Sequence, residues 1–196
     1  MVYLGGYMPN TTKIQRDDII KVSIDIVRES GMDKINARSI AKILNCSTQP
    51  IYYHFPTIEQ LKSEVKRKIR DIYNSYILDS SKSGEENLFK AVGIAYIKFA
   101  IKEPVFFRIL FMDNINCDEG LSPSIDENYD YILSTITDTY DVSIEAAKII
   151  YDNVWICTHG LAVMIATGFM KFSKEAIVNK LTDFFKGQLL IYKDYK

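Results

Sequence analysis

The sequence predicts an all-α protein. Apolar residues recur at three- and four-residue spacing in one segment after another, which is the period of an amphipathic helix. No segment alternates apolar and polar residues as a strand does, and no internal repeat or low-complexity tract is present. A chain of 196 residues is long enough for one small and one larger helical domain, each with its own core.

The first helix is expected from about Arg16 to Ser30, where Gly31 ends it. Residues 1–13 precede it and lack the basic start and long apolar core of a secretion signal. We interpret them as a flexible arm, or as the product of a start codon upstream of Met8.

A short second helix is expected to begin after Asn36, whose side-chain oxygen can accept the backbone N–H of Ser39. Ile40, Ala41 and Leu44 then share one face. The small Ala41 side chain lets another helix approach closely. The sequence therefore predicts a helix that packs tightly against its neighbour.

A tight turn and a third helix follow directly. Asn45 tolerates the left-handed backbone of a reversal, Ser47 is the expected N-cap, and Pro50 fits the first helical turn. Ile51 and Phe55, four residues apart, would anchor this helix, with Cys46 beneath the turn. Two short helices around such a turn are typical of a helix-turn-helix, whose second helix enters DNA.

This segment resembles the DNA-binding domain of the TetR family of transcriptional repressors, whose pattern is Ile-Ala, a Gly-Val-Ser-type turn and Tyr-x-His-Phe. The corresponding residues are Ile40-Ala41, Asn45-Cys46-Ser47 and Tyr52-Tyr53-His54-Phe55. With the helix before it and Leu61 after it, the resemblance covers about a third of the chain. Asn45 replaces the usual turn glycine. Ile58 replaces a lysine that contacts phosphate in the family, a contact that Lys62 or Lys66 could supply.

The resemblance and the helix faces together indicate the DNA-binding residues. Bases would be read by Thr48, Gln49 and Tyr53, with the Gln49 amide suited to adenine. The full candidate set is Arg38, Ser47, Thr48, Gln49, Pro50, Tyr52, Tyr53, His54 and Lys62. Two of them have structural alternatives: Tyr52 as a core residue and His54 as a helix C-terminal cap.

The charge is divided along the chain. Residues 1–70 carry 12 basic and 7 acidic residues, net +5, and the remainder carries 12 basic and 18 acidic residues, net −6. A basic half suits a phosphate backbone and an acidic half repels it. Uneven surface charge without function is the simpler alternative.

The rest of the chain is expected to form a larger helical domain. Thr57 would cap a long helix from Ile58 to about Leu78, and Ser83 with Glu86 forms a capping box. The expected later elements are a helix to about Lys102, a helix at Val105–Met112, a loop at Asp113–Pro123, and helices at Ser124–Tyr140, Ser143–Gly168 and Ser173–Tyr192.

The last two helices carry an excess of apolar residues. Val154–Met170 is apolar on nearly every side yet shorter than the roughly 20 residues that span a bilayer. In the last helix one stripe contains Ile177, Leu181, Phe184, Phe185 and Gln188. Because the family usually dimerises through these two helices, the expectation is a homodimer, whose recognition helices would reach major grooves roughly 34–36 Å apart.

The larger domain is rich in aromatic residues, most of which would pack its core. In the family, the equivalent helices surround a small-molecule pocket, and pockets are mostly apolar. Trp155, His159 and Gly160 resemble the Trp-x-x-x-His-Gly element of one TetR-like subgroup, although His159 could equally be a core histidine. The candidate ligand-binding residues are Phe99, Phe107, Phe111, Tyr131, Trp155 and His159.

Nothing in the sequence indicates catalysis, a metal site or a cofactor. No GxSxG, phosphate-loop, HExxH or dinucleotide motif is present, and the two histidines are far apart. Three cysteines without a CxxC pair favour the reducing cytoplasm.

The sequence therefore predicts an arm at 1–13, a DNA-binding domain at 14–57 and a ligand-binding and dimerisation domain at 58–196. The resemblance implies a cytoplasmic homodimeric regulator, a repressor that leaves double-stranded operator DNA when an apolar or amphipathic effector binds. Two alternatives remain: a DNA-binding regulator without a small-molecule effector, and a helical ligand-binding protein with an incidental helix-turn-helix.

Overall fold

A computed structural model describes residues 14–81, 88–112 and 129–193, without the side chains of 80, 81, 88, 89 and 131. This part of the chain contains helices and no strands, which confirms the all-α prediction. The helices are α1 (Arg16–Ser30), α2 (Ala37–Ile43), α3 (Gln49–His54), α4 (Ile58–Ser81), α5 (Leu88–Lys102), α6 (Pro104–Phe111), α7 (Tyr129–Tyr140), α8 (Ile144–Ala166) and α9 (Lys174–Tyr192).

The chain forms two compact units that divide after Val65, inside α4. The sequence placed its domain boundary before α4, between residues 57 and 58. The first turns of α4 belong to the first unit because Leu61 and Val65 are completely buried. The core of that unit also contains Ile19, Ile40 and Ile51, contributed by the mutually packed α1, α2 and α3.

The second unit is built around α8. This helix packs against α5, α6, α7 and α9, so its neighbours surround much of its circumference. Within the described residues it is also the one helix long and apolar enough to cross a membrane by length and composition, and 39% of that stretch is buried. A core helix of a soluble protein passes the same test, so the feature is weak evidence of a span.

Most predicted helix ends are confirmed, and three details differ. The N-cap of α3 is Thr48 rather than Ser47, because the Thr48 carbonyl already accepts the first helical bonds, from Ile51 and Tyr52 at 3.2 Å each. α4 continues beyond Leu78 to Ser81. α8 ends at Ala166, and Gly168 adopts a φ of 72° just beyond it. Four predictions lie outside the described residues: the arm at 1–13, the Ser83–Glu86 capping box, the loop at Asp113–Pro123 and the helix start at Ser124.

Candidate nucleic-acid interface and ligand cavity

The turn between α2 and α3 has the expected left-handed residue. Asn45 has a φ of 50°, and its N–H donates to the Lys42 carbonyl at 3.4 Å, while Cys46 N–H donates to Ala41 at 3.0 Å. These two bonds form a Schellman motif, which ends a helix and reverses the chain. At the other end of α2, Asn36 caps the helix by accepting the Ser39 N–H at 2.9 Å. Asn45 therefore performs the role of the turn glycine found in the family pattern.

Helix α3 is anchored by one face and exposes the other. Ile51 and Phe55 are buried, as predicted from their spacing. Gln49 is exposed, and 49% of Tyr52 and 75% of Tyr53 are accessible. Because Tyr52 is half exposed, it is not a core residue of the unit.

The other candidate DNA-binding positions differ in accessibility. Arg38 and Ser47 are exposed, whereas Thr48, Pro50 and Lys62 are half-buried. Their predicted contacts with DNA stay predictions, as do those of Gln49 and the two tyrosines.

His54 has a structural partner that the sequence did not suggest. Its Nε2 lies 3.1 Å from the carbonyl oxygen of Ile14, which precedes α1. The Tyr53 ring packs edge-on against the imidazole at 5.1 Å between centroids. His54 therefore ties the end of α3 to the residues before α1. Its predicted contact with DNA stays a prediction.

Arg16 of α1 is also engaged within the first unit. Its guanidinium lies 4.9 Å from the centre of the Phe55 ring, and Nη1 lies 3.2 Å from Glu64 Oε1. Through Val65 the chain carries eight basic and seven acidic residues, net +1, since four of the basic residues counted to position 70 lie beyond it. The first unit is therefore less basic than the count over residues 1–70 indicates.

The second unit contains a cavity of about 320 Å³, at the small end of the roughly 300–1,000 Å³ typical of small-molecule sites. Helices α5, α7, α8 and α9 supply its walls, which are mostly apolar. The lining residues are Lys90, Val92, Gly93, Tyr96, Ile132, Tyr140, Tyr151, Val154, Trp155, Thr158, Leu181, Thr182, Phe185, Lys186 and Leu189. Trp155 is the predicted ligand-binding residue that lines this cavity.

Three of the other predicted ligand-binding residues pack in an aromatic cluster. Phe99 and Phe107 are completely buried, and Phe107 lies 5.0 Å from Phe111 between ring centroids. The Tyr73 ring meets Phe99 and Phe111 edge-on, both at 5.1 Å. These residues have a packing role in the structure, and ligand binding by them stays a prediction. The Tyr131 side chain lies outside the described part.

His159 lies behind the cavity wall. Its ring stacks on Trp155 at 5.1 Å with an interplanar angle of 5°, and its Nδ1 lies 2.9 Å from the Tyr96 hydroxyl. Burial lowers the pKa of His159, whereas burial, followed by the nearby Tyr73, raises the pKa of Tyr96. Burial therefore favours the neutral imidazole, and the tautomer of His159 decides which of the two groups donates in this hydrogen bond. His159 orients two lining residues, Tyr96 and Trp155, without lining the cavity itself.

The sequence did not predict that α9 forms a wall of the cavity, because the apolar stripe of α9 was assigned to a dimer partner. Ile177 and Leu181 are buried within the chain, and Phe185 lines the cavity. Gln188, at the end of the same stripe, accepts the amide of Asn153 on α8 at 2.6 Å. The signal available in the sequence was this continuous stripe, which indicated burial without identifying the buried partner.

Metal binding and cysteine chemistry have little basis among the described residues. In that part of the chain, no group of three or more His, Cys, Asp or Glu residues could hold a metal ion. Cys46 and Cys157 are both free and half-buried. Burial raises the pKa of the Cys157 thiol, although Lys180 opposes the shift, so this thiol is a poor nucleophile.

Several bacterial regulators of known structure are similar to this chain. A TetR-like transcriptional regulator from Rhodococcus sp. RHA1 matches with a TM-score of 0.62 at 11% identity, over 94% of this chain and 99% of that one. A TetR family protein from Vibrio parahaemolyticus also gives 0.62, at 14% identity, over 87% and 96%. The chain has the TetR-type fold. A TetR variant from Acinetobacter baumannii AYE, in complex with minocycline, gives 0.56 at 14% identity, over 91% and 98%.

Sequence comparison alone is less informative. No protein-family model matches the chain. Nucleoid occlusion factor SlmA of Haemophilus ducreyi (strain 35000HP / ATCC 700724) is 26% identical over 103 residues, which is 51% of this chain and 51% of that protein. The match thus spans about half the length of that curated relative. The TetR-type fold therefore rests on structural similarity over nearly the whole chain.

Proposed function

We propose that this TetR-type protein is a sequence-specific DNA-binding transcriptional regulator. The observation that carries the proposal is α3, a short helix held by Ile51 and Phe55 that leaves Gln49, Tyr52 and Tyr53 accessible. A solvent-facing second helix after a tight turn is what a helix-turn-helix inserts into the major groove. Solved structures with the same fold are described as transcriptional regulators, which supports this function and gives no support to an enzyme.

We also propose that the regulator acts as a homodimer in the cytoplasm. Several apolar side chains of α8 and α9 are exposed in the single chain: Ile156 is 63% accessible, Leu190 81% and Ile191 66%. Exposed apolar surface of this kind marks a protein-protein contact. Sedimentation of Leu190→Asp should show monomer at concentrations where the parent protein is a dimer. Ile101→Asp, at an exposed apolar position on α5, is the matched control and should remain dimeric.

We further infer that the regulator represses transcription and that a small apolar or amphipathic compound releases it. The cavity in the second unit supports an effector, and a protein of the same fold has been solved in complex with minocycline. A ligand shifts a two-state equilibrium only if it binds one state better, so the effector must prefer the DNA-free state. Helix α4, which contributes residues to both units, is the proposed connection.

Fluorescence anisotropy tests the function directly. Labelled duplexes tiling the DNA upstream of the gene are compared with scrambled DNA at about 0.15 M salt, where weak nonspecific attraction is screened. Gln49→Ala should change the preferred sequence, because an amide pairs with base edges, whereas Tyr52→Phe should weaken all sites alike. Glu59→Gln, at an exposed residue of α4, serves as the surface control. The proposal fails if neither selective nor salt-sensitive binding is found on any duplex.

A further inference from the structure

The aromatic side chains around the cavity indicate what kind of compound it takes. We propose that the cavity binds a small compound with a rigid aromatic ring system, which stacks against Trp155. This inference rests on the proposed ligand-controlled function, and it names the chemical class of the effector at that same site.

The walls of the cavity are rich in aromatic rings. Five lining residues are aromatic, and they come from four different helices: Tyr96, Tyr140, Tyr151, Trp155 and Phe185. Aromatic rings stack with an offset or meet edge to face, and each such pair contributes beyond the apolar area that it buries. An aromatic ligand can form these pairs on several sides, whereas a saturated compound of the same size gains only the buried area.

Other aromatic rings hold two of these lining side chains in place from behind. The Tyr151 ring meets Tyr129 edge-on at 4.9 Å between centroids. The Tyr96 ring meets Phe107 edge-on at 5.3 Å, and both Tyr129 and Phe107 lie outside the lining. Side chains that are already fixed in one geometry lose little conformational freedom when a ligand binds, so these walls are preorganised for a rigid partner.

Trp155 presents the largest ring of the lining, and its orientation is fixed. The His159 imidazole stacks on one face of the indole at 5.1 Å, with an interplanar angle of 5°, and His159 itself does not line the cavity. Trp155 Nε1 is buried, so the indole meets the cavity through carbon atoms rather than through its N–H donor. An aromatic ring of the ligand can therefore stack against Trp155 without a hydrogen bond to it.

A matched pair of neutral compounds tests the preference on the full chain without DNA. The aromatic compound is 1-naphthol, and the saturated one is trans-decahydro-1-naphthol, which has the same carbon skeleton and hydroxyl group. Each favourable ring pair is worth about twofold to tenfold in affinity, so two or more pairs should make 1-naphthol bind at least about fourfold more tightly. Isothermal titration calorimetry measures both dissociation constants and therefore their ratio.

Nuclear magnetic resonance locates the bound compound. With the methyl groups of leucine and valine labelled, 1-naphthol protons should show nuclear Overhauser effects to Leu181 and Val154, which line the cavity. Leu190 is the control, because it is 81% exposed on α9 and borders a second groove rather than the cavity. Its methyl groups should show no such effect.

Variants of Trp155 separate ring stacking from packing. Trp155→Leu removes the aromatic ring, so the ratio of the two dissociation constants should fall by at least about twofold, and Trp155→Phe should retain most of the ratio. A general loss of packing weakens both compounds alike and leaves the ratio unchanged. Phe169→Leu removes an exposed ring outside the lining and should leave both affinities unchanged. The parent ratio and the Overhauser effects test the proposal even if Trp155→Leu does not fold.

Three results would overturn the inference. The first is a ratio near one in the parent protein, or no binding of 1-naphthol at all. The second is Overhauser effects to Leu190 without any to Leu181 or Val154, and the third is an unchanged ratio in folded Trp155→Leu.

Failure of the regulator proposal is separate from these results. If 1-naphthol is preferred at the cavity but no duplex is bound, the DNA-binding function falls and the ligand class stands. If duplexes are bound selectively but the ratio is near one, the ligand class falls and the regulator stands.

Discussion

Replacing Gly93 with alanine should stabilise the protein and shrink the cavity. Gly93 lies inside α5 and lines the cavity, and an added Cβ would lie 3.8 Å from both Leu181 Cδ1 and Thr158 Cγ2, an ordinary van der Waals distance. Glycine within a helix costs about 0.5–1 kcal/mol relative to alanine, and a buried methyl contributes up to about 0.8 kcal/mol. The free energy of unfolding should therefore rise by about 0.5–1.8 kcal/mol, since alanine loses no rotamer freedom.

Urea unfolding followed by far-UV circular dichroism measures this change. Gly187→Ala is the matched control, because it also lies within a helix but its added Cβ would meet nothing within 4 Å. The control should gain the helix-propensity part alone, about 0.5–1 kcal/mol. If Gly93→Ala is destabilising, or gains no more than the control, the space shown beside α5 does not exist and the reasoning is refuted.

Three further substitutions test separate parts of the structure. Ile51→Ala should lower the free energy of unfolding by about 2–5 kcal/mol in a urea titration and abolish DNA binding, because truncating a completely buried side chain leaves a cavity. A smaller loss of stability would mean that α3 is loosely packed. Ser173→Ala should lower the stability measured by thermal unfolding by about 1 kcal/mol, since the Ser173 hydroxyl accepts the Ala176 N–H at 3.1 Å. An unchanged melting temperature would exclude that cap. Burial lowers the pKa of His159, so the unfolded chain binds more protons and stability should fall as pH falls below the ordinary histidine range. His159→Gln should flatten that part of a pH series of urea midpoints, and an unchanged slope would contradict the assignment.

Local features of the helix-turn-helix were predictable because neighbouring residues determine them. Asn36 caps a helix that begins one residue later, and Asn45 adopts the backbone angles that asparagine tolerates. The four-residue spacing of Ile51 and Phe55 places both on one face. Each inference used only residues within one or two turns of each other, and each is confirmed.

Contacts between distant residues could not be predicted in the same way. His54 binds the Ile14 carbonyl 40 positions earlier in the chain, and no periodicity indicates such a pair. The net charge of the DNA-binding part depends on the domain boundary, because it is +5 when counted to residue 70 and +1 when counted to Val65, where the compact unit ends. A boundary within a continuous helix has no break in its apolar pattern, so composition cannot locate it.

Apolar periodicity also identifies a buried face without identifying what covers it. The aromatic residues of the larger domain include Phe99 and Phe107, which fill the core, and Tyr96 and Trp155, which line the cavity, yet all four lie on helices with similar patterns. Tyr96 is nearly as buried as the two phenylalanines, so the difference is whether a side chain borders the cavity. That depends on how the helices meet, which the order of residues along one helix does not record.

Helix α9 connects the cavity with the surface at which the proposed homodimer forms. Leu181 and Phe185 face the cavity, whereas Leu190 and Ile191 expose apolar surface on the same rigid helix. A compound that enters the cavity therefore contacts the element that would contact a second chain under the proposed function. Binding energies at two faces of one helix are thermodynamically linked whenever either event shifts that helix, and the linkage acts equally in both directions. The proposed repressor would need only a small differential affinity at the cavity, provided that the proposed dimer has two arrangements close in free energy.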